Sequence, residues 1–183
     1  MDKIEVYSAP VLASRDGYFP SGTYFGCDGA LSTATLGSNA LVVAPVAVAR
    51  RVSIDEIGVY VSGAANTVRL AIYADDGTGK PGALVATTSG ITATTTGYKS
   101  ATLNVTLPPG LYWVGQVAQN ANATVVTIAG YRRPVTSTTA ADLLSAATGL
   151  NGYIATGVTG VPPSTFTIAS RSGSTPLVVM RAV

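Results

Sequence analysis

Apolar and polar residues alternate with a period of two along most of this chain, and β-branched residues fill many of the apolar positions. "LVVAPVAV" (41–48) is an extended run in which Pro45 predicts an edge position or a bulge. "RVSIDEIGVYVS" (51–62) keeps Val52 and Ile54 on one face, slips at Asp55-Glu56, and resumes with Ile57, Val59 and Val61. A one-residue slip of this kind predicts a β-bulge. "TVRLAIYA" (67–74) turns Val68, Leu70 and Ile72 inward and Arg69 outward. Further strands are predicted at 83–87, 98–107, 111–119, 124–130 and 175–183, with Gly, Pro and Asn punctuating the gaps. One segment has helical spacing: "TAADLLSAATG" (139–149), with Thr139 as cap, Leu143 and Leu144 as anchors and Gly149 as stop. The expected fold is therefore all-β: an antiparallel, jelly-roll-like β-sandwich of about eight strands with one short helix.

Residues 1–40 depart from this rhythm and predict an irregular arm, leaving 41–183 as the sandwich domain. "YFPSGTYFG" (18–26) sets Tyr18, Phe19, Tyr24 and Phe25 among Gly, Pro and Ser. Two readings stay open. The arm folds back and plugs one end of the sandwich with its aromatics, or it reaches a neighbouring subunit or an underlying lattice, where Tyr and Phe supply large contact areas.

Composition narrows the function. Charged residues make up 11% of the 183 positions against a usual figure of about 25%. A surface so poor in charge predicts that part of the exterior meets another subunit or a larger assembly. The formal net charge is +2, and basic pairs occur only at Arg50-Arg51 and Arg132-Arg133. That is too little for nucleic-acid binding, which rests on neutralising many phosphates. The chain has no histidine, which removes Ser-His-Asp and Cys-His catalysis and His-ligated zinc. The single cysteine, Cys27, forbids an intramolecular disulfide and reads as a small buried hydrophobe. No stretch reads as a targeting signal, and no run approaches the 18 or more apolar residues of a spanning helix.

Candidate chemistry is sparse. "IYADDGTGKPGALV" (72–85) holds a Gly-Lys pair, but Ala74 stands where a phosphate loop needs its first glycine. Pro81 takes the place of the magnesium-binding hydroxyl, so the stretch reads as a turn between strands. Asp75 and Asp76 in that turn are candidate calcium ligands, although tight-turn geometry alone also selects Asp and Gly. No carboxylate pair stands out for glycoside hydrolysis, and the sequons at Asn104 and Asn122 carry little weight in so threonine-rich a chain. Tyr112 and Trp113 offer a sugar-stacking platform, against which Trp113 is more simply a core residue. No cofactor or metal is expected.

Three stretches, "RLAIYADDGTGKPGALV", "LPPGLYWVGQVAQ" and "GYIATGVTGVPPSTF", together resemble small β-sandwich modules of tailed-bacteriophage virion proteins. That family includes capsid decoration and head-fibre proteins and the tips of tail fibres and baseplates. The resemblance covers about residues 40–183, and its motifs are signatures of fold rather than of a site. In its frame Pro81-Gly82 ends a turn after the Ile72-Tyr73 strand, and "PPGLYW" leads into a central strand carrying Trp113. The resemblance implies a non-enzymatic virion protein. The sequence shows no fibre shaft, heptad stalk or anchoring domain, which favours a capsid decoration (cement) protein. Such a protein sits as a homotrimer on the outer surface of the major capsid protein lattice. A tail-fibre or baseplate tip recognising a host-surface glycan or protein is the alternative. Tyr18, Phe19, Tyr24, Phe25, Arg50 and Arg51 are the candidate interaction residues, with neither nucleic acid nor membrane as partner.

Overall fold

The computed structural model describes residues 19–27, 30–63, 65–129 and 152–183. Tyr18 and the predicted helix at 139–149 lie outside them. The described residues form two antiparallel sheets packed face to face, and no helix occurs among them.

The first sheet comprises β1 (Tyr24–Gly26), β2 (Ala30–Leu36), β4 (Val52–Gly63), β8 (Gly97–Leu107), β10 (Ala123–Ala129), β13 (Thr175–Pro176) and β14 (Val178–Ala182). β4 is its axis. β8 runs along one side of β4; β14 and then β10 run along the other, with β1 outside β14 and β2 outside β10. The second sheet comprises β3 (Leu41–Val48), β5 (Thr67–Asp75), β6 (Pro81–Thr87), β7 (Ile91–Thr92), β9 (Gly110–Gln119), β11 (Gly152–Ala155) and β12 (Ser170–Ser172). Its order is β12-β11-β3-β9-β5-β6, with β7 beside β6 on the same flank of β5. β9, entered from the Pro108-Pro109 turn, lies between β3 and β5.

The predicted slip in β4 is a bulge. Its pairing shifts register between Ile54 and Glu56, leaving Asp55 outside both ladders. Pro45 is tolerated because β11 pairs only with Leu41–Val43, so that Pro45 has β9 alone as a neighbouring strand. The removed N–H costs no ladder bond there.

Two apolar clusters result. Between the sheets lie Ile54, Ile57, Val59 and Val61 of β4, Val68, Leu70 and Ile72 of β5, and Val178 and Met180 of β14, all at most 2% exposed. A second cluster covers the far side of the second sheet, built on Leu41, Val43, Ala71, Tyr73, Trp113 and Val117. It is roofed by the non-strand segment after β11, through Val158 and Phe166. Backbone and side-chain bonds pin that strap: Val158 N to Asn39 O (2.9 Å), Leu84 N to Ser164 O (2.8 Å), Phe166 N to Gly82 O (2.9 Å) and the Tyr73 hydroxyl to Pro163 O (2.9 Å). Because both faces of β3, β5 and β9 are covered, Tyr112 points into the sandwich while Trp113 is buried outside it, beside Tyr153. Trp113 is thus a core residue, as expected, but of the outer cluster rather than of the inter-sheet core.

The stretch expected to be an irregular arm contains two strands. β1 pairs with β14, and β2 pairs with β10 over all seven of its residues. "ALSTATL" hid its character because its small residues bury no face and are held mainly by the backbone ladder. Phe25, 8% exposed, stacks on Phe19 with centroids 4.0 Å apart and closes the inter-sheet core. Cys27 is buried there too, its Sγ 3.4 Å from Pro45 O.

Candidate functional site: a tyrosine and ion-pair cluster on the first sheet

The bulge at Asp55 brings two successive acidic side chains, Asp55 and Glu56, to the same place beside β14. Arg181, the register partner of Glu56, meets both. Its Nε and Nη2 donate to the two oxygens of Asp55 at 2.8 and 2.9 Å, a bidentate pair, and its Nη1 lies 3.3 Å from Glu56 Oε2. Glu56 Oε1 then accepts the hydroxyls of Tyr24 and Tyr98, each at 3.0 Å. Tyr24 comes from β1 opposite Arg181, and Tyr98 from β8 opposite Tyr60.

The rings are oriented by their floor. Tyr98 lies over Gly58, and a Cβ at that position would run into its phenol. Tyr24 stands against Tyr98 edge-on, centroids 6.2 Å apart and planes at 88°. Tyr24, Tyr60 and Tyr98 remain 49, 49 and 44% exposed, about half of each ring facing solvent. Beyond Asp55 the surface dips into a shallow groove of about 350 Å³ lined by Ser53, Asn104 and Thr106 among others.

The Asp55–Arg181 pair holds both partners in their charged forms. Hydrogen bonding from Arg181 holds the Asp55 carboxyl below the usual carboxylate range, and Asp55 in turn raises Arg181. Burial, reinforced by the bond to Glu56, pushes the Tyr98 phenol up. The Tyr98 phenol therefore stays a hydrogen-bond donor across the physiological range.

The candidate interaction residues are scattered. Tyr24 belongs to the cluster. Phe19 and Phe25 turn inward, and Arg50 and Arg51 sit exposed in the β3–β4 turn without an ion pair among the described residues. Sequence reasoning missed Tyr60, Tyr98, Glu56 and Arg181. The signal was present: the alternation of 98–107 puts Tyr98 on one exposed face with Ser100, Thr102, Asn104 and Thr106.

The 75–80 loop is a self-satisfied turn. Asp75 Oδ2 accepts the amides of Gly77 and Gly79 (2.9 and 3.2 Å), and its Oδ1 accepts the Trp113 indole N–H (3.2 Å). Asp76 Oδ1 accepts Thr78 N, Thr78 Oγ1 and Lys80 N at 2.8, 2.7 and 3.3 Å. Gly77 and Gly79 supply the left-handed φ values, +89° and +80°, that the turn requires. Its amides are aimed at its own carboxylates rather than at an anion. Among the described residues no group of three or more His, Cys, Asp or Glu is placed to hold a metal.

No protein-family model matches the chain, and a search of curated proteins finds no relative.

Proposed function

We propose that this protein is a non-enzymatic structural module of a bacteriophage virion, a capsid decoration protein that binds the outer surface of the major capsid lattice as a homotrimer and stabilises it. The observation that carries the assembly reading is β2. This strand bonds to β10 on one side only among the described strands, bears no charge, and is exposed at five of its seven residues, with Leu31 70% exposed. An uncharged edge strand without proline, and without a covering element among the described residues, is a template for another chain. The virion assignment rests on the sequence resemblance, and the non-catalytic reading on the chain's lack of histidine.

Quantitative gel analysis of purified particles tests it. Copy number commensurate with the capsid subunits supports decoration, and absence from particles overturns the virion reading. A handful of copies per particle would instead place the protein at the tail. One observation favours that second reading, a receptor-binding tip: the exposed tyrosine cluster of the first sheet.

A further inference from the structure

The geometry points to a binding site for neutral carbohydrate at the Tyr24–Tyr60–Tyr98 corner of the first sheet. A pyranose ring has an apolar C–H face and a rim of hydroxyls, so its site needs an immobile aromatic surface bordered by fixed hydrogen-bonding groups. Tyr98 lies as a floor over Gly58, Tyr60 is its cross-strand neighbour, and Tyr24 stands at 88° to it as a wall. The phenol ends of Tyr24 and Tyr98 are both anchored on Glu56 Oε1, so the rings are held before any ligand arrives. Each still offers about half its surface to solvent.

The border is polar and rigid. Arg181 and Asp55 lock one another at 2.8 and 2.9 Å while each keeps about a third of its side chain exposed, at 35 and 33%. The adjoining groove continues with Ser53, Asn104 and Thr106, where Ser53 Oγ and Thr106 Oγ1 already bond at 2.8 Å. Asp55 and Glu56 outnumber Arg181 by one negative charge, which disfavours sialylated or uronic glycans and selects neutral sugars. The groove has room for a second residue, so an oligosaccharide is the better fit. The site rests on the fold alone and is independent of whether the protein sits on the capsid or the tail.

Saturation-transfer-difference NMR on the full chain, with lactose, maltose and chitobiose as separate probes, tests the site. Transfer to the ring C–H protons of at least one disaccharide is expected, and weaker transfer to sialyllactose. Tyr98→Ala should weaken binding about tenfold, the loss of one ring stack, while Tyr98→Phe keeps most of it. Gly58→Ala, whose added methyl displaces the Tyr98 ring, should weaken binding as Tyr98→Ala does, with an unchanged circular dichroism spectrum. Absence of transfer to all three neutral probes overturns the proposal, as does binding that survives Tyr98→Ala.

Discussion

At the scale of single residues, the most informative side chain is one that no motif advertises. Gln116 is fully buried on β9 in phase with Tyr112, Val114 and Ala118, which face the sandwich interior, and neither atom of its amide has a partner among the described residues. A buried amide without hydrogen bonds costs roughly 1–3 kcal/mol, and Met has a similar volume without the penalty. Gln116→Met is therefore expected to stabilise the fold by about 1 kcal/mol in urea denaturation. A loss of stability instead would mean that an ordered water satisfies the amide. Asp55 gives the pH dependence. Its carboxyl is held low in the folded state, chiefly by the hydrogen bonds from Arg181. Its contribution to stability is thus present above the unfolded value, about 3.9, and is lost as pH falls through the folded one. In Arg181→Gln the carboxyl carbon of Asp55, followed by NMR, should titrate upward toward that ordinary value. An unmoved titration would show that Arg181 is not the cause.

At the scale of elements, legibility followed burial. β4, β8 and β10 were readable because each has one face in the core and alternates accordingly, and the bulge at Asp55 because it breaks that alternation. β5 was readable because its inward Val68, Leu70 and Ile72 keep a period of two, although its other face is covered as well. β2 was not, because a strand held by its backbone ladder leaves little hydrophobic trace. β1, β7, β12 and β13 have two or three residues each, too few to establish a period. The tyrosine cluster was half legible. Alternation exposes Tyr60 and Tyr98, but only the antiparallel register of β1, β14, β4 and β8 brings Tyr24, Arg181, Glu56 and Tyr98 together. The strap behind β11 was hidden for a different reason. Its sequence is Gly-, Pro- and Thr-rich like any loop, yet Phe166 meets Tyr73 edge-on at 5.3 Å and is 6% exposed. Phe166→Ala should cost about 3–5 kcal/mol in urea unfolding, whereas Val161→Ala on the same strap, 61% exposed, should fall within about 0.5 kcal/mol of wild type. Equal effects would mean that the strap is not a structural roof.

At the scale of the whole molecule, the shortage of charge governs how copies of the chain meet. Net charge is +2 over 183 residues, and β2 carries none, so an association through β2 rests on backbone pairing and apolar contact around Leu31. Such contacts are not weakened by screening, which at about 1 M salt shortens the range of charge interactions to about 3 Å. Sedimentation velocity should therefore show the same oligomer at about 0.1 M and about 1 M salt. Leu31→Lys is exposed enough to leave the protomer folded, and a row of like charges brought together at an edge opposes pairing. It should convert the oligomer to monomer at low salt with an unchanged far-ultraviolet spectrum, and high salt should restore part of the association. Dissociation of the wild-type protein by salt would point away from β2 to a charged surface, with Arg50 and Arg51, both exposed, as the first residues to substitute. An oligomer indifferent to Leu31→Lys would leave β2 as an ordinary edge and remove the observation on which the assembly reading stands.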